Sequence, residues 1–299
     1  MAIRKILVAT DFSQSAETAL ATAVTLARPL GASLHLFHAI PLPMQPMPPA
    51  EAVMMPAAYW EQTRRDVNSR LDRIKAEVAA KGLTCTAESL EDMPGFGISR
   101  AAKRTGSDLI VMGSRGLTGL KHVVLGSVAE RTARTAECPV LTVKHDSGQS
   151  FALRKILVPM DFSPAALAAL DLVKSLRKAL GPLHLILVHA YFIPVELEQY
   201  LAKDGDDLRA RITRGVTREL EDLLAGLEKE DISSEYVASQ GHPDQVITAV
   251  ARDKHVDLIA MGTHGRRGLP HLLLGSTAER VVRSADGPVL TVRGPAAKK

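Results

Sequence analysis

Residues 113–127 read Gly-Ser-Arg-Gly-Leu-Thr-Gly-Leu-Lys-His-Val-Val-Leu-Gly-Ser, and residues 262–276 read Gly-Thr-His-Gly-Arg-Arg-Gly-Leu-Pro-His-Leu-Leu-Leu-Gly-Ser. Both stretches have the spacing Gly-x2-Gly-x9-Gly-Ser. Each follows a short apolar run, at residues 108–112 and 257–261, and each leads into a helical pattern. Glycines at the end of a strand, followed by Gly-Ser at the start of a helix, suit a backbone that wraps around a phosphate. The chain therefore carries the same predicted phosphate-binding pattern twice.

The repeat extends beyond these glycines to the whole chain of 299 residues. Residues 4–13 match residues 154–163 at eight of ten positions, and residues 113–144 match residues 262–293 at 18 of 32 positions without a gap. A period as long as a domain indicates a duplication. The short polar segment at residues 145–150 has the composition of a linker. We therefore predict two domains, at residues 1–145 and 152–299.

Each half alternates strand and helix patterns. The strands are continuous apolar runs, as expected when helices cover both faces of a sheet. Five strands with helical crossovers predict an α/β fold, with two tandem doubly wound domains that each hold a five-stranded, mostly parallel sheet flanked by helices. The predicted strands are residues 4–10, 33–40, 84–90, 108–112 and 139–144, then 154–160, 183–190, 233–238, 257–261 and 288–293. The predicted helices of the first half are residues 13–29, 58–81, 97–105 and 127–136.

The position of the ligand follows from this topology. Open parallel sheets bind ligands outside the carboxyl ends of their strands, where the strand order reverses. Asp11 ends the first strand and Gly113 follows the fourth, and Asp161 and Gly262 do the same in the second half. If strands one and four are neighbours, each aspartate faces its glycine loop across a crevice. Its carboxylate can accept hydrogen bonds from ribose hydroxyls or an adenine amino group, while the glycine amides and the following helix hold phosphates.

These motifs, with the last strand Pro-Val-Leu-Thr-Val of each half, resemble the universal stress protein family. The resemblance covers both halves, so the chain is similar to a tandem two-domain member. It implies a five-stranded parallel α/β sandwich and, in the nucleotide-binding branch, bound ATP. By position, the two sites would consist of Asp11, Met112, Gly113, Arg115, Gly116, Gly126, Ser127 and Val128, and of Asp161, Met261, Gly262, His264, Gly265, Gly275, Ser276 and Thr277. The backbone near Ala39 and Ala190 would read the adenine.

The resemblance also implies partners and a function. The family pairs domains through the last strand, so residues 139–143 and 288–292 could join the halves as an intramolecular pseudo-dimer, and a homodimer is a further option. We expect an ATP-binding stress-response regulatory protein in which nucleotide occupancy controls conformation or partner choice. The alternative is a scaffold that acts by dimerisation, with vestigial pockets or pockets for another small ligand. Mg²⁺ as a companion of the phosphates stays open, because no dedicated pair of carboxylates indicates it.

Enzyme classes with known nucleotide motifs are disfavoured. The sequence has no Gly-x4-Gly-Lys-Ser/Thr loop, no Gly-x-Gly-x-x-Gly after the first strand and no Gly-x-Ser-x-Gly elbow. Because no acid–base pair can be inferred, we expect at most slow ATP hydrolysis or autophosphorylation. A catalytic role is therefore uncertain.

Composition limits the partners and the location. The net charge is only +4 and aromatic residues make up 4%, which disfavours nucleic acid as a partner. No apolar segment approaches the length of a membrane span, and the first residues lack the pattern of a signal peptide. The isolated Cys85 and Cys138 fit reduced thiols. These features predict a cytoplasmic protein that does not enter membranes.

Simpler structural explanations compete with the ligand site. The segments from Ser127 to Glu130 and from Ser276 to Glu279 could be capping boxes, in which the serine and the glutamate satisfy the first turn of a helix. Asp11 could merely start the first helix, although Ser13 is the better candidate for its cap.

The two halves also differ near the predicted sites. The second half has Gly-His-Pro at residues 241–243, whereas the first half has Asp92 followed by Met-Pro-Gly-Phe-Gly. An acidic Asp92 close to the pocket would repel phosphate. A segment rich in proline and methionine at residues 41–56 has no counterpart of that composition in the second half. One site could therefore bind nucleotide while the other is weakened or used differently.

Overall fold

The chain forms two compact units, Ala2–Asp146 and Ser147–Lys299, in a computed structural model that describes residues 2–41, 57–116, 125–144, 153–192, 206–265 and 274–295. The predicted linker and most of the segment rich in proline and methionine lie outside the described residues. Each unit contains five strands and four helices among the described residues.

The elements of the first unit alternate as the sequence predicts. Its strands are β1 (Lys5–Ala9), β2 (Ser33–Ile40), β3 (Cys85–Glu91), β4 (Leu109–Gly113) and β5 (Val140–Val143). Its helices are α1 (Gln14–Leu30), α2 (Ala57–Ala80), α3 (Pro94–Thr105) and α4 (Ser127–Thr135).

The second unit repeats this order. Its strands are β6 (Lys155–Pro159), β7 (His184–Tyr191), β8 (Ser233–Gln240), β9 (Leu258–Gly262) and β10 (Val289–Val292). Its helices are α5 (Pro164–Leu180), α6 (Asp206–Lys229), α7 (Pro243–Asp253) and α8 (Ser276–Ser284).

The strand order places the first and fourth strands of each unit side by side. In the first unit the order is β3-β2-β1-β4-β5, and in the second unit it is β8-β7-β6-β9-β10, with parallel pairing at each of these steps. The order reverses between β1 and β4, where Val8 pairs with Val111, and between β6 and β9, where Leu157 pairs with Ile259. The predicted α/β fold with a parallel sheet in each half is confirmed, and so is the neighbouring position of strands one and four.

Apolar residues fill both faces of each sheet. Ile6, Leu7 and Val8 are fully buried although successive side chains of a strand point to opposite faces. Val8 lies towards α1 and α2, whereas Ala9 lies towards α3 on the other face. Burial on both sides explains why these strands are continuous apolar runs rather than alternating patterns.

The start of α3 differs from the prediction. We expected the helix to begin at residue 97, but it begins at Pro94, the first helical position, where the missing amide of proline is harmless. Gly95 is required there because a Cβ at this position would lie 2.8 Å from the Cβ of Arg131 on α4. Gly95 therefore allows close packing of α3 against α4, whereas in the sequence it resembles a helix breaker.

A polar network joins β2, β3 and α3 in the first unit. The buried His35 places Nδ1 2.8 Å from the hydroxyl of Thr86 and Nε2 3.0 Å from Glu88 Oε1, while Arg104 donates a hydrogen bond to the same carboxylate. Burial alone would raise the pKa of Glu88, but the hydrogen bonds from Arg104 and His35 outweigh it and lower the pKa below its ordinary value. The network thus stabilises the ionised carboxylate.

This network predicts a pH dependence of stability. Because the pKa of Glu88 is lower in the folded state, its stabilisation is present above the unfolded pKa near 4.3 and is lost as the pH falls through the folded pKa. Glu88→Gln should therefore cost about 1 kcal/mol of unfolding free energy at pH 7, and this cost should shrink as the pH falls below the unfolded pKa. Urea unfolding between pH 3 and 7, followed by the fluorescence of the single tryptophan Trp60 in α2, measures this. Glu91→Gln, which removes an exposed ion pair with Arg64, is the control, and equal pH profiles of the two variants would contradict the prediction.

Two further features concern the described residues as a whole. Within those ranges no helix combines the length and apolar character needed to cross a membrane. Cys85 and Cys138 are both free thiols, and burial raises the pKa of each to about 11. A thiol with such a pKa is almost entirely protonated at neutral pH and hence unreactive.

Candidate functional site

A cavity opens at the carboxyl end of each sheet, beside the point where the strand order reverses. Its volume is about 450 Å³ in the first unit and about 390 Å³ in the second, within the range of small-molecule sites. Every residue that the sequence places in the two sites lies on the wall of the expected cavity. The first is lined by Asp11, Ala39, Met112, Gly113, Arg115, Gly116, Gly126, Ser127 and Val128, and the second by Asp161, Ala190, Met261, Gly262, His264, Gly265, Gly275, Ser276 and Thr277.

The aspartate after the first strand has a defined orientation. Asp11 Oδ1 accepts a hydrogen bond from the amide of Ser13 at 3.0 Å, and Ser13 in turn caps α1 by accepting from the amide of Ala16. Between them Phe12 has a φ of 64°, a left-handed conformation that is costly for an aromatic residue. The same turn recurs at Asp161, Phe162 and Ser163. The serines are the helix caps, as predicted, and the turn holds each carboxylate at its cavity.

The second oxygen of each carboxylate faces the glycine loop. A Cβ at Gly116 would lie 2.8 Å from Asp11 Oδ2, and a Cβ at Gly265 would lie 2.7 Å from Asp161 Oδ2. Only glycine therefore lets the loop approach the carboxylate so closely. The predicted juxtaposition of aspartate and glycine loop is present in both units.

The first glycine of the pattern has a packing role. A Cβ at Gly113 would lie 2.8 Å from the Cβ of Ser15, and a Cβ at Gly262 would lie 2.7 Å from both the carbonyl carbon and the Cβ of Ala165. These glycines let the first turn of α1 or α5 pack against the end of β4 or β9. Sequence reasoning assigned them to the phosphate loop alone, because close packing between elements distant in sequence leaves no local signal.

The serine at the end of the pattern does not form a capping box. The N-caps of α4 and α8 are Gly126 and Gly275, neither helix start has a side-chain cap hydrogen bond, and Ser127 and Ser276 are exposed first residues of the helices. The capping-box alternative is therefore wrong: the glutamates pair along the helix instead, as Glu130 does with Arg134. An uncapped helix N-terminus with its positive partial charge is suited to an anion.

Basic side chains lie between the glycines of each loop. Arg115 has a buried Nε without a hydrogen-bond partner among the described residues, and the hydroxyl of the buried Ser114 is likewise unpaired there. In the second unit, His264 Nδ1 lies 2.9 Å from the hydroxyl of Thr263. The amide of the third glycine closes each loop, from Gly126 to Ser114 O at 2.8 Å and in the same way in the second unit. Unpaired buried donors are costly, so the first loop has spare capacity for an acceptor.

Further residues, most of them apolar, complete the walls. Ile98 and Ile247, on α3 and α7, lie opposite Met112 and Met261. The remaining additions are Ala9, Thr10, Ala16, Phe37, His38, Pro41, Pro94, Ser114 and Ala129 in the first cavity, and Pro159, Met160, Ser163, Ala166, Val188, Pro243, Thr263 and Ala278 in the second. The proline three residues after the third strand of each half was a usable signal, because it marks the helix that closes the cavity.

An aromatic stack borders the first cavity. The Phe12 ring stacks on His38 with centroids 4.7 Å apart, and the guanidinium of Arg70 lies 3.9 Å from the Phe12 centroid. His38 Nδ1 donates to the carbonyl of Thr10 at 2.8 Å. Burial lowers the pKa of His38, against the raising effects of that hydrogen bond and of Asp11, so the ring is neutral at pH 7. His189 makes the matching bond to Met160 O at 2.6 Å, which fits a shared packing role for the two histidines.

Asp92 does not disturb the first cavity. Its carboxylate accepts hydrogen bonds from Arg100 and from the amide of Met93 at the start of α3, and it is not part of the cavity wall. The premise that Asp92 would repel phosphate is therefore wrong, because an ion pair turns the charge towards α3. In the second unit Gly241 stands at the place of Asp92, and His242 is the N-cap of α7 as Met93 is of α3.

No metal centre is evident in the parts of the chain that the structure describes. Those residues include no group of three or more His, Cys, Asp or Glu side chains that could hold a metal ion. The repeated histidines His122 and His271 of the nine-residue loops lie outside the described residues, as do Arg266 and Arg267.

The chain is similar to known proteins of one family. The model of the universal stress protein family matches the chain twice, at residues 2–144 and 152–293. Universal stress protein Slr1230 of Synechocystis sp. is 26% identical over 311 aligned residues, which cover 97% of this chain and 100% of that protein. Universal stress protein MJ0531 of Methanocaldococcus jannaschii is 33% identical over 141 residues, 47% of this chain and 82% of that protein. The crystal structure of a universal stress protein from Archaeoglobus fulgidus has the same fold, with a TM-score of 0.73, 23% identity and coverage of 97% of this chain and 98% of that chain.

Proposed function

The chain belongs to the universal stress protein family as a tandem two-domain member, and from this premise we propose that it is a regulatory protein that binds ATP. The nucleotide would occupy one or both cavities, and its occupancy would control conformation or partner choice. Each half supplies a complete cavity of its own, so the two sites can differ in affinity.

One observation carries the proposal: in each unit an oriented carboxylate and an uncapped helix N-terminus border the same cavity. An adenosine phosphate needs both groups. Its ribose hydroxyls and adenine amino group are donors that a carboxylate such as Asp11 can accept, and its phosphates are acceptors for backbone amides and favour a positive helix end.

The remaining walls fit the other parts of the ligand. The apolar side chains of Ile98, Met112 and Val128 offer surface to an aromatic base and a sugar, whose burial is favourable. Arg115 adds a permanent positive charge on the side of the helix N-terminus, and its buried Nε has no hydrogen-bond partner within the described ranges. Mg²⁺ could accompany the phosphates, with water and phosphate oxygens as its main ligands.

The competing hypothesis is a scaffold protein whose cavities hold no nucleotide. It explains the turn and the packing glycines, but it gives no role to the uncapped helix starts or to the unpaired donors of the first loop. As an enzymatic activity we propose at most slow ATP hydrolysis or autophosphorylation. In the described part of the first cavity, the titratable groups are Asp11, His38 and Arg115, and Asp11 already holds the turn.

Nucleotide bound to the purified protein tests this proposal. We expect denaturation to release an adenine nucleotide that mass spectrometry identifies, and we expect ATP to stabilise the stripped protein by about 2.7 kcal/mol at a concentration 100 times the Kd. Parallel thermal-shift titrations with ATP, ADP and AMP would rank the ligands. Absence of a released nucleotide together with an unchanged Tm in millimolar ATP would contradict nucleotide binding and favour the scaffold.

A further inference from the structure

The two cavities differ in the basic residue between the first two glycines of the pattern. The first cavity has Arg115 at this position and the second has His264, and both residues line their cavities. A guanidinium stays charged throughout the physiological pH range, whereas an imidazole changes its charge near neutrality. The same backbone position therefore carries a permanent charge in one unit and a pH-dependent charge in the other.

Both residues lie next to the helix N-terminus at which an anion would bind. The Cα of Arg115 is 3.7 Å from the position that a Cβ on Gly126 would occupy, and the Cα of His264 is 3.6 Å from the corresponding position at Gly275. Because Gly126 and Gly275 are the N-caps of α4 and α8, each basic residue is within reach of a phosphate at that helix start.

The structure also orients His264 more strongly than an ordinary surface histidine. Its Nδ1 lies 2.9 Å from the hydroxyl of the buried Thr263, and its carbonyl accepts a hydrogen bond of 3.2 Å from the hydroxyl of Ser163, the N-cap of α5. These contacts hold the ring and its backbone on the cavity wall. The only other titratable group on the described wall of this cavity is Asp161, whose Oδ1 accepts from the amide of Ser163.

We propose that His264 makes the second cavity a pH-dependent site for the nucleotide phosphates, while Arg115 makes the first cavity insensitive to pH over the same range. The inference rests on the proposed nucleotide binding. A phosphate beside the ring favours the imidazolium, so the complex takes up a proton. Affinity in the second unit therefore rises as the pH falls from 8 to 6, and acidification shifts occupancy towards that unit.

The other titratable groups on the described walls of the two cavities do not mimic this effect. His38 is the histidine of the first cavity, and burial lowers its pKa, which moves its charge change away from neutral pH. Asp11 and Asp161 occupy equivalent turns and so act alike in the two units. Titration of the ATP phosphates is common to all variants and opposes the expected trend, because protonation removes negative charge from the ligand.

Reciprocal exchange of the two basic residues tests the inference in the full-length chain. ATP affinity would be measured by calorimetry at pH 6, 7 and 8 for the wild type, His264→Arg and Arg115→His. A rise of one unit in the pKa of the bound imidazole corresponds to a gain of about tenfold in affinity. We expect this gain at one site of the wild type, at neither site of His264→Arg and at both sites of Arg115→His. In each case the gain is measured after subtraction of the pH effect that arises from protonation of ATP itself.

The outcomes separate the two proposals. If wild type and His264→Arg bind ATP with the same pH profile, the role of His264 is overturned and nucleotide binding stands. If Arg115→His gains no pH dependence, the position itself does not face the phosphates and the inference fails in the same way. If the wild type binds no ATP at any pH, both proposals fail together.

Discussion

Replacing Gly262 with alanine is expected to lower the free energy of unfolding of the second unit by about 3 kcal/mol, the upper part of the usual range for overpacking. The added Cβ would lie 2.7 Å from the carbonyl carbon and the Cβ of Ala165 in the first turn of α5. A side chain could turn away from such a contact, but a helix backbone cannot move without disturbing β9 and β10 behind it. Gly113→Ala should act in the same way on the first unit, where the nearest atoms belong to Ser15.

Urea unfolding resolves these effects by unit. Trp60, the only tryptophan, reports on the first unit, whereas circular dichroism follows both. Gly226→Ala is the matched control, because a Cβ there meets nothing within 4 Å on the exposed side of α6 and should stabilise the helix by about 0.5–1 kcal/mol. If Gly262→Ala is as harmless as Gly226→Ala, the packing role of the first glycine is wrong. A destabilised Gly113 or Gly262 variant would be uninformative about ligand contact, so binding must be tested elsewhere in the loop.

Ser276→Asp is expected to weaken nucleotide binding in the second unit at least 100-fold, and Ser127→Asp should do so in the first. Both serines are exposed first residues of helices that no side chain caps. An aspartate there favours the helix by about 0.3–1 kcal/mol through the helix dipole. Towards a phosphate about 4 Å away it adds a repulsion of about 4 kcal/mol at an effective dielectric constant of 20. Stability and binding should therefore change in opposite directions.

The neutral variants Ser276→Asn and Ser127→Asn are the controls, since asparagine matches the shape of aspartate without its charge. Calorimetry with ATP would give the affinity, and thermal unfolding without ligand would give the stability. We expect the aspartate variants to melt no lower than the asparagine variants and to lose the stabilisation by ATP in their own unit. Equal ATP affinities of the aspartate and asparagine variants would show that no phosphate lies at these helix starts.

Much of the fold could be predicted from short stretches of sequence. The runs at residues 6–9 and 109–112 are apolar throughout because both faces of each strand are buried, and such burial is typical of a parallel, helix-covered sheet. Asp11 and Gly113 could be assigned to one site because the carboxyl ends of neighbouring parallel strands meet at the same edge. The second half of the chain repeats the same apolar runs and the same Asp and Gly positions, which supports each of these predictions a second time.

Other features depended on contacts between residues far apart in the chain. The serine of Gly-Ser resembles an N-cap in the sequence, yet the N-cap lies one residue earlier. Gly126 donates its amide hydrogen bond to Ser114 O and takes the N-cap position, so Ser127 becomes the first residue of the helix. In the sequence Asp92 resembles a charge that would repel phosphate, but in the structure it forms an ion pair with Arg100. Neither the ion pair nor the loop closure has a signature in the local sequence.

The sequence by itself determined the duplication, the parallel α/β architecture and the sheet edge at which Asp11 and Gly113 meet, because these follow from the internal repeat, from hydrophobic periodicity and from the geometry of strand ends. Only the tertiary structure decided what each of those residues does there. Gly113 packs against a helix, whereas Gly116 allows the loop to approach the carboxylate. The starts of α4 and α8 have no side-chain cap, and Arg115 and His264 occupy equivalent positions beside them. The physical reason is that a missing Cβ, an unpaired amide or a nearby charge acts through distances of a few ångströms, which the fold sets and the order of residues along the chain does not.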